Sequence, residues 1–246
     1  MAVDRRFQRL ELLYGTKAVE KLANSTVTVF GCGGVGSMCI EALARSGVGR
    51  LVIVDKDDID ISNLNRQIMA LEENVGRMKV SVMKERIEKI NPACEVICYP
   101  EFYDRNNEKL WEIRPDYVAD CIDTVTCKLD LIEYCQKHSI PFICATGTGN
   151  RFDPTKITVT DLAKTSYDPL AKAMRIQARK RGIKGKIPVV WCTEKPKVQN
   201  IIVNPEGLTQ KEKTPPASSA FVPNAAGLVM ASVIVNALTN TKGSQN

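Results

Sequence analysis

The stretch that decides the fold runs from Val27 to Asp55: Val27-Thr28-Val29-Phe30, then Gly31-Cys32-Gly33-Gly34-Val35-Gly36, an apolar helical segment, and Leu51-Val52-Ile53-Val54-Asp55. A β-branched strand runs into Gly-x-Gly-x-x-Gly, the glycines open a helix, and an acidic residue closes the next strand about 20 residues on. Such an arrangement binds a nucleotide. Gly31 permits the tight turn, Gly33 and Gly34 leave the backbone bare for a phosphate at the helix N-terminus, and Gly36 lets helix and strand pack closely. Asp55, at a strand's carboxyl end, is placed to accept ribose hydroxyl hydrogen bonds. Which nucleotide is bound stays open at this point.

Outward from this unit, strands and helices alternate. Glu95–Tyr99, Tyr117–Cys121 and Pro141–Ala145 read as further strands, with helices over Lys79–Asn91 and Thr126–His138. In the first of these helices Val80, Met83, Ile87 and Ile90 recur at helical spacing, and Pro92 stops it. Five alternations predict an α/β fold, a Rossmann-like, doubly wound, mostly parallel sheet with its ligand over the carboxyl ends of the strands. Gly31, Asp55, Asp123 and Gly147 all fall at that edge. Two short helices, Arg5–Tyr14 and a second ending at Ala23, precede the first strand, with Gly15 between them.

After Asn150 the pattern changes, which divides the chain into a nucleotide-binding core (1–150) and a C-terminal extension (151–246) within one compact domain. Lys156–Thr160, Val189–Thr193 and Ile201–Val203 read as added strands. Asp168-Pro169 caps a helix reaching Arg181, Gly207–Pro216 reads as a mobile loop, and Ala225–Leu238 as a buried helix too short to span a bilayer.

The chain has 246 residues and a net charge of +6, unevenly held. From Lys164 to Lys186 eight Lys or Arg face a single Asp, and Lys172, Arg175 and Arg179 share one face of the helix that ends at Arg181. A solvated helix face is the usual fate of such a run; its concentration favours a polyanion such as a nucleic acid. The nine cysteines are scattered with no Cys-x-x-Cys, which predicts reduced, mostly buried thiols rather than disulfides or zinc. With no secretory signal in Asp4-Arg5-Arg6-Phe7-Gln8-Arg9 and no membrane span, the cytoplasm is the expected compartment. The single histidine, His138, reads as a helix C-terminal charge.

Behind Asp55 comes Ile61-Ser62-Asn63-Leu64-Asn65-Arg66-Gln67, then Val75-Gly76-Arg77-Met78-Lys79. A nicotinamide enzyme has no need for Arg66 and Lys79 here, whereas a triphosphate attacked at its α-phosphorus needs cations along its length. Ser-Asn-Leu-Asn-Arg-Gln after a strand-ending Asp, with a downstream Gly-x-x-Lys, resembles the ThiF/MoeB adenylating enzymes of the ubiquitin-activating superfamily. Asp161-Leu162-Ala163-Lys164-Thr165 followed by Asp168-Pro169-Leu170 is similar to their tRNA threonylcarbamoyladenosine dehydratase branch.

The resemblance implies ATP and Mg2+ as cofactors. Gly31, Gly33, Gly34, Gly36 and Asp55 would hold adenosine and ribose, and Asn63, Arg66, Gln67 and Lys79 the phosphates. Asp123 would bind magnesium, and Arg9 would reach across a homodimer into the partner's site. Lys172, Arg175, Arg179 and Arg181 would face tRNA.

The implied reaction is adenylation of the threonyl carboxylate of N6-threonylcarbamoyladenosine beside the anticodon, followed by ring closure. The nearest alternative is an adenylating enzyme for a ubiquitin-fold sulfur-carrier protein; such a carrier or a sulfur-relay protein could also assist. Against that alternative, Gly207–Phe221 lacks the cysteines such relatives carry. An NAD(P)-dependent oxidoreductase leaves Arg66, Lys79 and Asp123 unexplained, and a non-catalytic tRNA-binding protein would use only the basic patch.

Overall fold

The computed structural model describes residues 4–200 and 216–240. The Ile201–Val203 strand and the loop from Gly207 expected above lie outside them, apart from Pro216. Seven strands form one sheet in the order β3-β2-β1-β4-β5-β7-β6. These are β1 (Thr26–Phe30), β2 (Arg50–Val54), β3 (Glu95–Tyr99), β4 (Tyr117–Asp120), β5 (Phe142–Ala145), β6 (Ile157–Asp161) and β7 (Pro188–Cys192). All neighbours run parallel except β6, which lies antiparallel to β7 at the edge. β1 is buried at all five positions, as a central strand covered on both faces must be. β6 keeps Thr158 and Val159 exposed, which suits an edge.

One face carries α2 (Thr16–Ala23), α3 (Gly34–Arg45), α4 (Lys79–Ile90) and α7 (Phe221–Leu238), whose buried side chains share a core with Val27 and Val29. The other carries α5 (Val125–Lys137) and α6 (Pro169–Lys180). There Phe30 packs with Tyr103, Leu110 and Val118. Consecutive β1 residues thus feed opposite cores, the period of two that a strand imposes. At the N-terminus a 3-10 turn, Arg5–Phe7, leads into α1 (Gln8–Tyr14), and Gly15 at φ +85° separates α1 from α2.

The observed elements meet the expected ones to within about one residue, with one exception. α7 begins one turn before Ala225, at Phe221, and carries Pro223 in its first turn. There the missing N–H costs nothing, because the first-turn amides have no intrahelical acceptor. Among the described residues α7 is the only helix long and apolar enough to cross a membrane, yet half of it is buried inside the molecule. Gly227 explains how closely it docks: a Cβ there would stand 2.4 Å from the Val35 carbonyl oxygen of α3.

From β1 the chain winds out to β2 and β3, then crosses back to β4 and β5 on the other side. Winding therefore reverses between β1 and β4. A crevice opens where the flanking connections part, at the carboxyl ends of these strands.

Candidate active site

A cavity of about 710 Å³ lies over that crevice. It is lined by Gly31, Gly33, Gly34, Asp55, Asn63, Arg66, Gln67, Lys79 and Asp123, so the structure brings together nine residues singled out in the sequence. Gly36 stands beneath it. A Cβ at Gly36 would fall 1.8 Å from the Gly31 carbonyl oxygen, so its role is close packing. At Gly33 no atom stands within 4 Å of where a Cβ would be, and that open space sits at the N-terminus of α3, as a phosphate cradle requires.

The loop is stapled from two sides. Gly31, at φ +91°, touches the end of β4, where an added Cβ would meet the Cys121 carbonyl oxygen at 2.8 Å. Asp55 accepts the Cys32 N–H at 2.5 Å and the Asp57 N–H at 2.8 Å. Each carboxylate oxygen keeps accepting capacity for a ribose hydroxyl. The sequence marks Asp55 as a candidate ligand residue; that it also holds the glycine loop emerges only from the fold.

Lys79 opens α4, almost wholly buried, and its Nζ donates to Asp57 Oδ2 at 2.9 Å. Partial burial raises the Asp57 carboxyl, but the hydrogen bond and charge of Lys79, with Lys56 beside them, more than reverse this and hold it below its usual range. Asp57 is therefore the ion-pair partner of Lys79. Arg66 is half-buried; one guanidinium nitrogen donates to the Ser62 carbonyl at 2.7 Å and Asn65 Oδ1 at 2.9 Å, which sets the side chain beside Gly34. Gln67 is buried with its Oε1 lacking a hydrogen-bond partner.

Beneath Asp123 lies a pair the sequence did not reveal. Lys128 Nζ sits 2.8 Å from Asp120 Oδ2 and donates to the Ile122 carbonyl at 2.9 Å, while Asp120 Oδ1 accepts the Ile122 N–H at 3.1 Å. Both ends of Ile122 are gripped, which aims the exposed Asp123 at the cavity. Arg151 is the second omission. Buried, it donates to the carbonyls of Gly147, Gly149 and Glu194 and lies 3.8 Å from Asp168, bracing the far wall.

Arg9 lies on exposed α1, away from the cavity. Of the four cations assigned to tRNA, Lys172 and Arg179 are exposed and make no ion pair among the described residues, whereas Arg175 donates to Thr165 Oγ1 and Arg181 to Asp130 at 2.6 Å. Two of the four are thus engaged within the chain. His138 caps α5 and stacks on Tyr134.

All nine cysteines are free, and among the described residues no cluster of three His, Cys, Asp or Glu could hold a metal. Cys121 lines the cavity, but burial pushes its thiol well up, away from the thiolate a nucleophile needs. The arrangement suits transfer to a phosphorus atom through positioning and charge, without a covalent protein intermediate.

The ThiF family pattern matches residues 4–246. The tRNA threonylcarbamoyladenosine dehydratase of Bacillus subtilis is 47% identical over 236 residues, covering 94% of this chain and 93% of that protein. The crystal structure of Escherichia coli tRNA N6-threonylcarbamoyladenosine dehydratase, TcdA, in complex with AMP is 36% identical with a TM-score of 0.86 and covers 98% of both chains. Its complex with ATP has a TM-score of 0.85 at the same identity and covers 100% of both. By family match, identity and fold together, the chain belongs to the ThiF family, in its tRNA threonylcarbamoyladenosine dehydratase branch.

Proposed function

We propose that this chain catalyses the ATP-dependent, cyclising dehydration of N6-threonylcarbamoyladenosine next to the tRNA anticodon. The observation that carries the reading is a single cavity in which Gly33, Arg66, Lys79 and Asp123 converge at the winding reversal, in a chain 47% identical to a named dehydratase. The threonyl carboxylate attacks the α-phosphorus of ATP and pyrophosphate leaves. A neighbouring atom of the carbamoyl arm then closes a five-membered ring on the activated carbonyl, an N–H of that arm loses its proton, and AMP departs with the former carboxylate oxygen. The nucleoside loses one water, ATP becomes AMP and pyrophosphate, and no sulfur enters the balance. The chemical step therefore assigns no role to a carrier or sulfur-relay protein.

Arg66 and Lys79 offset the charge of the leaving pyrophosphate, and the glycine loop holds the nucleotide through backbone amides. Asp123 fits magnesium: a hard carboxylate facing the cavity, with no further protein cluster needed, because magnesium keeps waters and takes phosphate oxygens as ligands. When bound, it would neutralise triphosphate charge.

The homodimer belongs to the same proposal. Arg9 shares α1 with Leu12 and Leu13, 88% and 76% exposed, a face that a second copy would cover while Arg9 reaches its triphosphate. Lys172 and Arg179 would contact tRNA phosphates. A reducing, cytoplasmic setting accords with nine free thiols and a tRNA substrate. Pyrophosphate release that requires threonylcarbamoylated tRNA tests the reading; release driven equally by unmodified tRNA overturns it.

A further inference from the structure

We propose that Tyr167, with Lys195 over its ring and Phe152 nearby, is a stacking platform for unpaired RNA bases at the mouth of the cavity. The inference rests on the RNA substrate proposed above and assigns it a contact surface outside the nucleotide site.

Three chain segments each place one residue in the cavity wall and its neighbour on the rim. Asp168, Pro196 and Arg151 line the cavity, and beside them stand Tyr167, Lys195 and Phe152. Tyr167 is 58% exposed and Phe152 69%. Lys195 Nζ lies 4.6 Å from the Tyr167 ring centroid, and Glu194, the residue before it, accepts the Phe152 N–H at 3.0 Å. Lys195 thus packs on Tyr167, and its chain neighbour Glu194 fixes the backbone of Phe152.

Tyr167 occupies the left-handed region at φ +58°, a conformation that disfavours any side chain with a Cβ. Its turn is pinned all round. Trp191 Nε1 donates to the Ser166 carbonyl at 3.1 Å, Thr165 Oγ1 to the Leu162 carbonyl at 2.8 Å, and the Asp168 carboxylate accepts from Gly147 and Ala171. Burial of the ring does not offset the strain, since most of it faces solvent. A rigidly displayed, strained aromatic at a site mouth suits an incoming planar ligand.

Charge selects RNA over protein. α6 begins immediately after Asp168 and carries exposed Lys172 one turn along, Lys164 is exposed on the other side, and Lys195 caps the ring. Cations for phosphates interleaved with aromatics for bases are how single-stranded loops are held. An anticodon loop offers such bases on either side of the modified adenosine.

The test uses an anticodon stem-loop bearing the modified adenosine and 2-aminopurine at a flanking loop position, titrated with the full chain. Wild type quenches the fluorescence on binding. Tyr167→Ala loses the quench and weakens binding by about 5- to 100-fold, as expected for one stacked base, while ATP affinity measured without RNA stays at the wild-type value. Tyr167→Trp keeps the quench. Tyr167→Gly relieves the backbone and melts no lower than wild type, yet shows the same RNA defect, which separates stacking from misfolding. Wild-type quench and affinity in both Tyr167→Ala and Tyr167→Gly would overturn the platform, as would a defect confined to binding a ubiquitin-fold protein. If wild type binds and quenches but never converts the nucleoside, the platform stands and the dehydratase reading falls.

Discussion

Lys128 carries an ammonium group at a position with no solvent exposure, directly under the site. Burial works against that charge, but Asp120 at 2.8 Å outweighs it and the lysine pKa is raised. Removing one partner strands the other's charge, whereas removing both leaves a neutral core. Lys128→Met should therefore lower unfolding stability in urea by about 3–5 kcal/mol, and Asp120→Asn combined with Lys128→Met should restore most of it. A double variant no more stable than the single would show that the pair is not the reason. From sequence alone Lys128 is one more helical lysine, because its burial depends on where Asp120 falls after folding. Asp57 has a lowered pKa, so its pairing with Lys79 supports the folded state above the usual Asp range, near about 4, and is lost as pH falls through the folded value. Melting curves of wild type and Asp57→Asn should differ at neutral pH and converge below about pH 4. A gap that persists in acid would assign the difference to packing.

α7 acts on the site at the level of the element. Its Gly227 lies against Val35 in α3, and α3 opens at the glycine loop, so displacing one helix tilts that loop. Pro223, in the first turn of α7, also lines the cavity beside Gly34. Gly227→Ala should cost about 1–3 kcal/mol of stability and weaken ATP binding, measured by titration calorimetry, whereas exposed Leu228→Ala should change stability by less than about 0.5 kcal/mol. Existence and type of the elements were legible: apolar runs at periods of two and 3.6, broken by Gly15, Pro92 and Gly147, mark strands and helices locally. Strand order was legible only as far as the Gly-x-Gly-x-x-Gly unit implies a Rossmann-like winding. The antiparallel edge strand β6 depends on long-range pairing with β7, which no local pattern encodes. The start of α7 escaped because Pro223 favours a turn everywhere except in a first helical turn.

Over the whole molecule, ATP and RNA would meet at the cavity over the carboxyl ends of the strands, with a second copy of the chain reaching in through Arg9. That Asn63, Arg66, Gln67 and Lys79 line one cavity with Asp55 was legible because they follow Asp55 closely in sequence. For the face proposed to meet tRNA, net charge does not reveal that Arg175 and Arg181 are engaged within the chain by Thr165 and Asp130. Lys172→Ala with Arg179→Ala should raise the KM for tRNA and flatten its salt dependence, with little change in ATP affinity; an unaltered salt slope would remove this face from the interface. The dehydration is read out by nucleoside mass analysis of threonylcarbamoylated tRNA incubated with the protein, ATP and magnesium, alongside Asp123→Ala. Wild type should remove one water from the modified adenosine, and the variant should do so about 10²–10³-fold more slowly. An unchanged nucleoside, with pyrophosphate released only when a ubiquitin-fold protein is present, would contradict it and leave adenylation of that protein as the activity.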